Sequence, residues 1–141
     1  MKFYLAMNYN GGGIQTAKKL APKLEQLTGD QCTSRWIYSE AHEHHEFRKT
    51  IACTDVSDVA RADYVIIAPL TPTSRGSHVE MGLALGLDKP VYLYRPPESK
   101  DSTQSVGGTG FDTLCNEWKP EWIEALKEIQ ASVVQEPTGS E

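Results

Sequence analysis

From beginning to end, the chain alternates short runs of β-branched and aromatic residues with longer stretches whose apolar residues recur at helical spacing. Residues 2–7, 32–38, 64–68 and 91–94 read as strands. Residues 14–27, 47–62, 77–87 and 118–133 read as helices. In the first of these helices Ile14, Ala17, Leu20, Ala21, Leu24 and Leu27 share one face. Strands separated by helices pair in parallel through right-handed βαβ units. The expected fold class is therefore α/β, a Rossmann-like doubly wound parallel sheet with helices on both faces, in a single domain. Pro22 is expected to kink or split the first helix, and Thr54-Asp55 to interrupt the second. Pro120 opens the last helix. Residues 1–134 form the expected domain and 135–141 a flexible tail.

The chain has 141 residues, enough to bury a core without disulfides or a structural metal. Its net charge of -5 disfavours polymeric nucleic acid, whose binding rests on Lys and Arg, but leaves room for one small nucleotide. Cys32, Cys53 and Cys115 are odd in number and far apart, so reduced thiols in the cytoplasm are expected. The apolar run at residues 1–7 is too short for a secretory signal or a membrane span.

In an open parallel sheet, ligands bind outside the carboxyl ends of the strands. The segments to search are therefore 8–13, 39–46, 69–76 and 96–110. The first contains Gly11-Gly12-Gly13, a tight turn or a ligand loop. It lacks the third glycine of a dinucleotide fingerprint and the Gly-Lys-Ser/Thr of a P-loop, so no NAD, FAD or ATP cofactor is expected. The second contains His42-Glu43-His44-His45-Glu46, crowded and without a distant ligand pair, which reads as solvated loop with no metal. Trp36 and Tyr38 are either core residues or platforms for a planar base.

The most informative stretch is Gly76-Ser77-His78-Val79-Glu80-Met81-Gly82-Leu83-Ala84. On the bland reading Ser77 and Glu80 form a capping box, with Ser77 as N-cap. On the functional reading Glu80 sits in the first helical turn facing the cleft, where the helix dipole favours its ionised form. Such a carboxylate can attack an anomeric carbon or stabilise an oxocarbenium ion. Asp55 is a candidate cleft acid or an N-cap, and Asp63 a structural residue at the base of the third strand.

Taken together, these motifs resemble the nucleoside 2-deoxyribosyltransferase family, including its 2′-deoxynucleoside 5′-phosphate N-hydrolase branch. The resemblance spans about residues 2–96. It rests on Tyr4 before Gly11-Gly12, Asp55 eight residues before Ala62-Asp63, the Gly76–Ala84 pattern, and Lys89-Pro90-Val91 through Arg95-Pro96. It implies a flavodoxin-like fold and an N-glycosidase acting on a (deoxy)nucleoside or its 5′-monophosphate, with water or a second base as acceptor. Glu80 is the implied nucleophile and Tyr4 the residue that orients it, while Asp55 assists the leaving base or positions the sugar. Ser74 and Gly76 meet the sugar 5′ end or its phosphate, and small Gly82 and Ala84 let the helix pack closely on the sheet. The branch's phosphate-binding arginine is replaced by Asn10, with Asn8 nearby and Arg75 as the substitute cation. Asn8, Asn10, Gly11, Ser74, Arg75, Gly76 and Trp36 are thus the candidate substrate contacts. A homodimer or larger homo-oligomer is implied, because in the family the region matching 96–110 often completes a neighbour's site. The alternatives are a glycohydrolase of NAD or a signalling nucleotide, and a non-catalytic nucleotide sensor.

Overall fold

The computed structural model of the chain describes residues 1–7, 12–39, 48–69, 75–95 and 110–135. In order, its elements are β1 (Lys2–Met7), α1 (Gly13–Thr28), β2 (Gln31–Cys32), a 3-10 turn (Arg35–Tyr38), α2 (Arg48–Arg61), β3 (Tyr64–Ala68), α3 (Arg75–Gly86), β4 (Val91–Leu93), a second 3-10 turn (Phe111–Leu114), β5 (Asn116–Glu117) and α4 (Pro120–Gln135). The five strands are all parallel, in the order β2-β1-β3-β4-β5. This is the flavodoxin-like order, and its switch point lies between β1 and β3.

Residue parity assigns the two faces of the sheet. Phe3, Tyr64 and Tyr92 lie side by side on adjacent strands, and Tyr92 meets Trp122 of α4 edge-on at 5.3 Å. That face packs on α1 and α4. Tyr4 and Val65, one residue out of phase, point to the face covered by α2 and α3. β1 from Phe3 onward and the whole of β3 are buried on both faces, so neither strand shows a polar alternation.

Three expectations about elements change, and one strand is added. Pro22 lies inside α1 without splitting it; it and Lys18, whose carbonyl it deprives of a partner, are both exposed, so water can serve that carbonyl. α2 runs unbroken through Thr54-Asp55, because Ile51, Thr54, Asp55, Asp58 and Val59 form one inward stripe. The second strand is two residues long rather than seven. After the Thr33 N–H, which still donates to the Phe3 carbonyl, a side chain takes over the ladder: the Ser34 hydroxyl accepts the Leu5 N–H (2.7 Å) and donates to the Leu5 carbonyl (3.0 Å). β5 had no apolar run to announce it; both its residues are exposed at the sheet edge.

Among the described residues, no helix is long and apolar enough to cross a membrane.

Candidate active site

Tyr4 and Glu80 come together on the α2/α3 side of the sheet. Tyr4 is fully buried in β1, and its hydroxyl donates to Glu80 Oε2 from α3. Asp55 projects from the inward stripe of α2, with its Oδ1 shut off from solvent and its charge acting on Glu80. The three proposed catalytic residues thus belong to three elements separated in sequence and meet beside the switch-point strand.

Burial pushes the Glu80 carboxyl up to about 8; the Tyr4 hydrogen bond opposes this and the negative charge of Asp55 adds to it. The expected dipole stabilisation of an ionised Glu80 is therefore overturned. α3 begins at Arg75, which makes Glu80 its sixth residue, beyond the first turn where the dipole acts. The same boundary removes the capping-box reading, since Ser77 is a buried residue inside the helix and not its N-cap. Gly82 is also corrected. It is exposed, and a Cβ there would meet nothing within 4 Å, so it does not ease helix–sheet packing; Ala84, 0% exposed, faces the sheet.

The remaining candidates fall as follows. Gly76 is the second residue of α3 and is exposed. Trp36 takes its core role: it is 2% exposed, and its indole N–H donates to the Leu5 carbonyl at 2.9 Å. Asn8, Asn10, Gly11 and Ser74, the side chain of Arg75, and the histidine cluster at 42–46 lie outside the described residues. Gly12 adopts φ 84 at the start of α1, a left-handed geometry that favours glycine. Arg95 is committed to Asp112, donating to Oδ2 (2.8 Å) and to its carbonyl (2.9 Å). Among the described residues, no group of three or more His, Cys, Asp or Glu could hold a metal ion.

Sequence reasoning missed Asp58, which is fully buried and bonded to Arg35 and Arg61. Its signal was its place one turn after Asp55 on the same helical stripe. A separate cleft of about 270 Å³, walled by Tyr64, Tyr92 and Trp122, lies at the amino ends of the strands, away from Glu80. Two of its carboxylates are already engaged: Asp30 accepts the Tyr64 hydroxyl (2.6 Å) and Asp63 the Lys2 N–H (2.8 Å), the structural role expected of Asp63.

Tyr4→Phe isolates the hydroxyl while keeping the ring's bulk. A hydrogen bond to the ionised, attacking form of the Glu80 carboxyl is worth about 1.5–3 kcal/mol, so kcat/KM is expected to fall roughly ten- to a hundredfold. The Glu80 carboxyl should titrate higher still, because the interaction that lowers it is gone. Steady-state rates beside a pH titration check this; unchanged rates would remove Tyr4 from the site.

A family model described as nucleoside 2-deoxyribosyltransferase matches residues 3–134. A solved structure of a 2-deoxyribosyltransferase from Bacillus psychrosaccharolyticus superposes with a TM-score of 0.66 at 18% identity, covering 94% of this chain and 96% of that one. A CMP N-glycosidase from Clostridium botulinum superposes with a TM-score of 0.51 at 17% identity, covering 93% and 99%. At these identities the two structures speak to the fold. No curated protein sequence matches the chain.

Proposed function

The chain belongs to the nucleoside 2-deoxyribosyltransferase family, and on that footing we propose that it cleaves the base–sugar bond of a (deoxy)nucleoside 5′-monophosphate or nucleoside through a covalent glycosyl-Glu80 intermediate. The observation that carries this reading is the part-buried Tyr4–Glu80 hydrogen bond with Asp55 acting on the same carboxyl.

The chemistry follows from those three groups. Below about pH 8 Glu80 holds a proton that must leave before it can attack. Asp55 accepts that proton and passes it to the departing base nitrogen. A Glu80 oxygen bonds to the anomeric carbon as the carbon–nitrogen bond breaks, and the electron pair leaves with the base. Tyr4 holds the attacking carboxylate in line. Water then enters from the face the base vacated, gives a proton to Asp55 and displaces Glu80, with net retention. A second base in place of water makes the reaction a transfer. The mechanism calls on no metal or organic cofactor. The protein works as a homodimer or larger homo-oligomer in this reading.

The test is to incubate the protein with a panel of nucleosides, their 5′-monophosphates and NAD, and to follow free base. Base release from a deoxynucleoside or its monophosphate is expected. Release of nicotinamide alone would favour an NAD glycohydrolase, and no release from any would favour a sensor.

Within the panel, the monophosphate is the expected better substrate, since Ser74-x-Gly76 and Arg95-Pro96 follow the hydrolase branch. Arg95 is bonded to Asp112; the cation we assign to the phosphate is Arg75, at the start of α3, and if it faces solvent instead its removal is nearly silent and nucleosides compete well. Arg75→Ala should cost about 1.5–3 kcal/mol in kcat/KM for the monophosphate and little for the nucleoside. A tenfold preference of the wild type for the bare nucleoside, about 1.4 kcal/mol, would overturn this assignment.

A further inference from the structure

One turn beyond Asp55 on α2, Asp58 is clasped from two sides. It is 0% exposed. Its Oδ2 accepts the Arg35 backbone N–H at 2.9 Å, and its Oδ1 accepts Arg35 Nε at 2.9 Å and an Arg61 amino group at 2.8 Å. Its backbone carbonyl accepts the Thr33 hydroxyl, also at 2.9 Å. Burial pushes its carboxyl up, but the hydrogen bonds from Arg35 and Arg61 outweigh this and hold it below the usual value.

The clasp does not stop at α2. Thr33 donates its backbone N–H to the Phe3 carbonyl at 2.8 Å, and Ser34 bridges both backbone groups of Leu5. Phe3 and Leu5 flank Tyr4 in β1. A continuous set of polar contacts therefore runs from the α2 turn that carries Asp55 to the strand residues on either side of Tyr4. Asp55 and Tyr4 are the described groups that act on Glu80, one from α2 and one from β1.

A buried ion cluster is a poor source of net stability, because desolvation offsets much of the attraction; its better-attested use is to fix one arrangement among several. We infer that Asp58, held by Arg35 and Arg61, is a positioning residue that sets α2 against β1 and so places Asp55 relative to the Tyr4–Glu80 pair. The inference rests on the proposed function for its catalytic consequence and on the clasp alone for its structural one.

Two variants test it. Asp58→Asn weakens both arginine contacts. Arg35→Gln breaks one side only; the Arg35 side chain is 59% exposed and Arg61 still neutralises Asp58, so this variant keeps the test alive if the first does not fold. Steady-state kinetics are run on the substrate the wild type cleaves, and the Glu80 carboxyl is titrated by carbon NMR in the substrate-free protein. Because small misplacements near a reacting centre cost up to about a hundredfold, kcat should fall roughly ten- to a hundredfold with KM nearly unchanged. The Glu80 midpoint should move down in both variants as Asp55 withdraws from it. Variants that melt lower but keep kcat and the Glu80 midpoint would overturn the inference and leave Asp58 a purely structural residue. A wild type that releases no base would sink the proposed function, while the Glu80 midpoint would still decide the clasp.

Discussion

Glu80→Gln is expected to lower turnover by at least about a thousandfold, some 4 kcal/mol of transition-state stabilisation. The amide has the size of the carboxyl and can still accept the Tyr4 hydroxyl. It cannot form a glycosyl ester that water then cleaves, so binding should survive while chemistry is lost: KM or Kd changes little and kcat collapses. Near-normal turnover in this variant would remove Glu80 from the mechanism.

The same substitution should have an opposite, pH-dependent effect on stability. Glu80 titrates at about 8 in the fold against an ordinary value of 4.5, because burial penalises its charge. Between these two values the unfolded chain has released the proton and the folded chain still holds it. Stability is therefore fully present below pH 4.5 and is lost as pH rises toward 8, by up to about 1.4 kcal/mol per pH unit. Glu80→Gln removes the titration, so the variant should match the wild type near pH 4.5 and exceed it near pH 8. Urea unfolding of both proteins at several pH values measures this. Parallel curves across the interval would mean that Glu80 is as easily charged in the fold as in water.

The strand–helix alternation carried the α/β class, and β1 and β3 coincide with the runs at 2–7 and 64–68, because strands buried on both faces are continuous apolar runs. What the sequence hid was hydrogen bonding by side chains. The run at 32–38 has strand composition, yet the Thr33 and Ser34 hydroxyls bond β1 just ahead of the 3-10 turn and the Trp36 indole bonds it from within the turn. β5 is two exposed polar residues defined only by its partner β4.

At the site, the short motifs around Tyr4 and Glu80 pointed to a pair that does meet in space. The charge state of Glu80 could not be read, because it depends on burial and on where α3 begins, and Arg75–Gly76 look like loop in sequence. Asp58 escaped notice for a related reason. Its partner Arg61 is one turn away, but Arg35 arrives from a distant segment, and periodicity carries no information about that contact.

The most direct measurement of the central claim is the intact mass of the protein after incubation with a 2′-fluoro-2′-deoxyarabino nucleoside 5′-monophosphate. The fluorine destabilises the oxocarbenium-like transition states of both steps; with a good leaving base the first still outpaces the second, so a glycosyl ester should accumulate. The account predicts a mass gain equal to one fluorinated sugar phosphate less one water, mapped by peptide sequencing to Glu80 and absent from Glu80→Gln. Release of base with no adduct, or an adduct on any other residue, would contradict it.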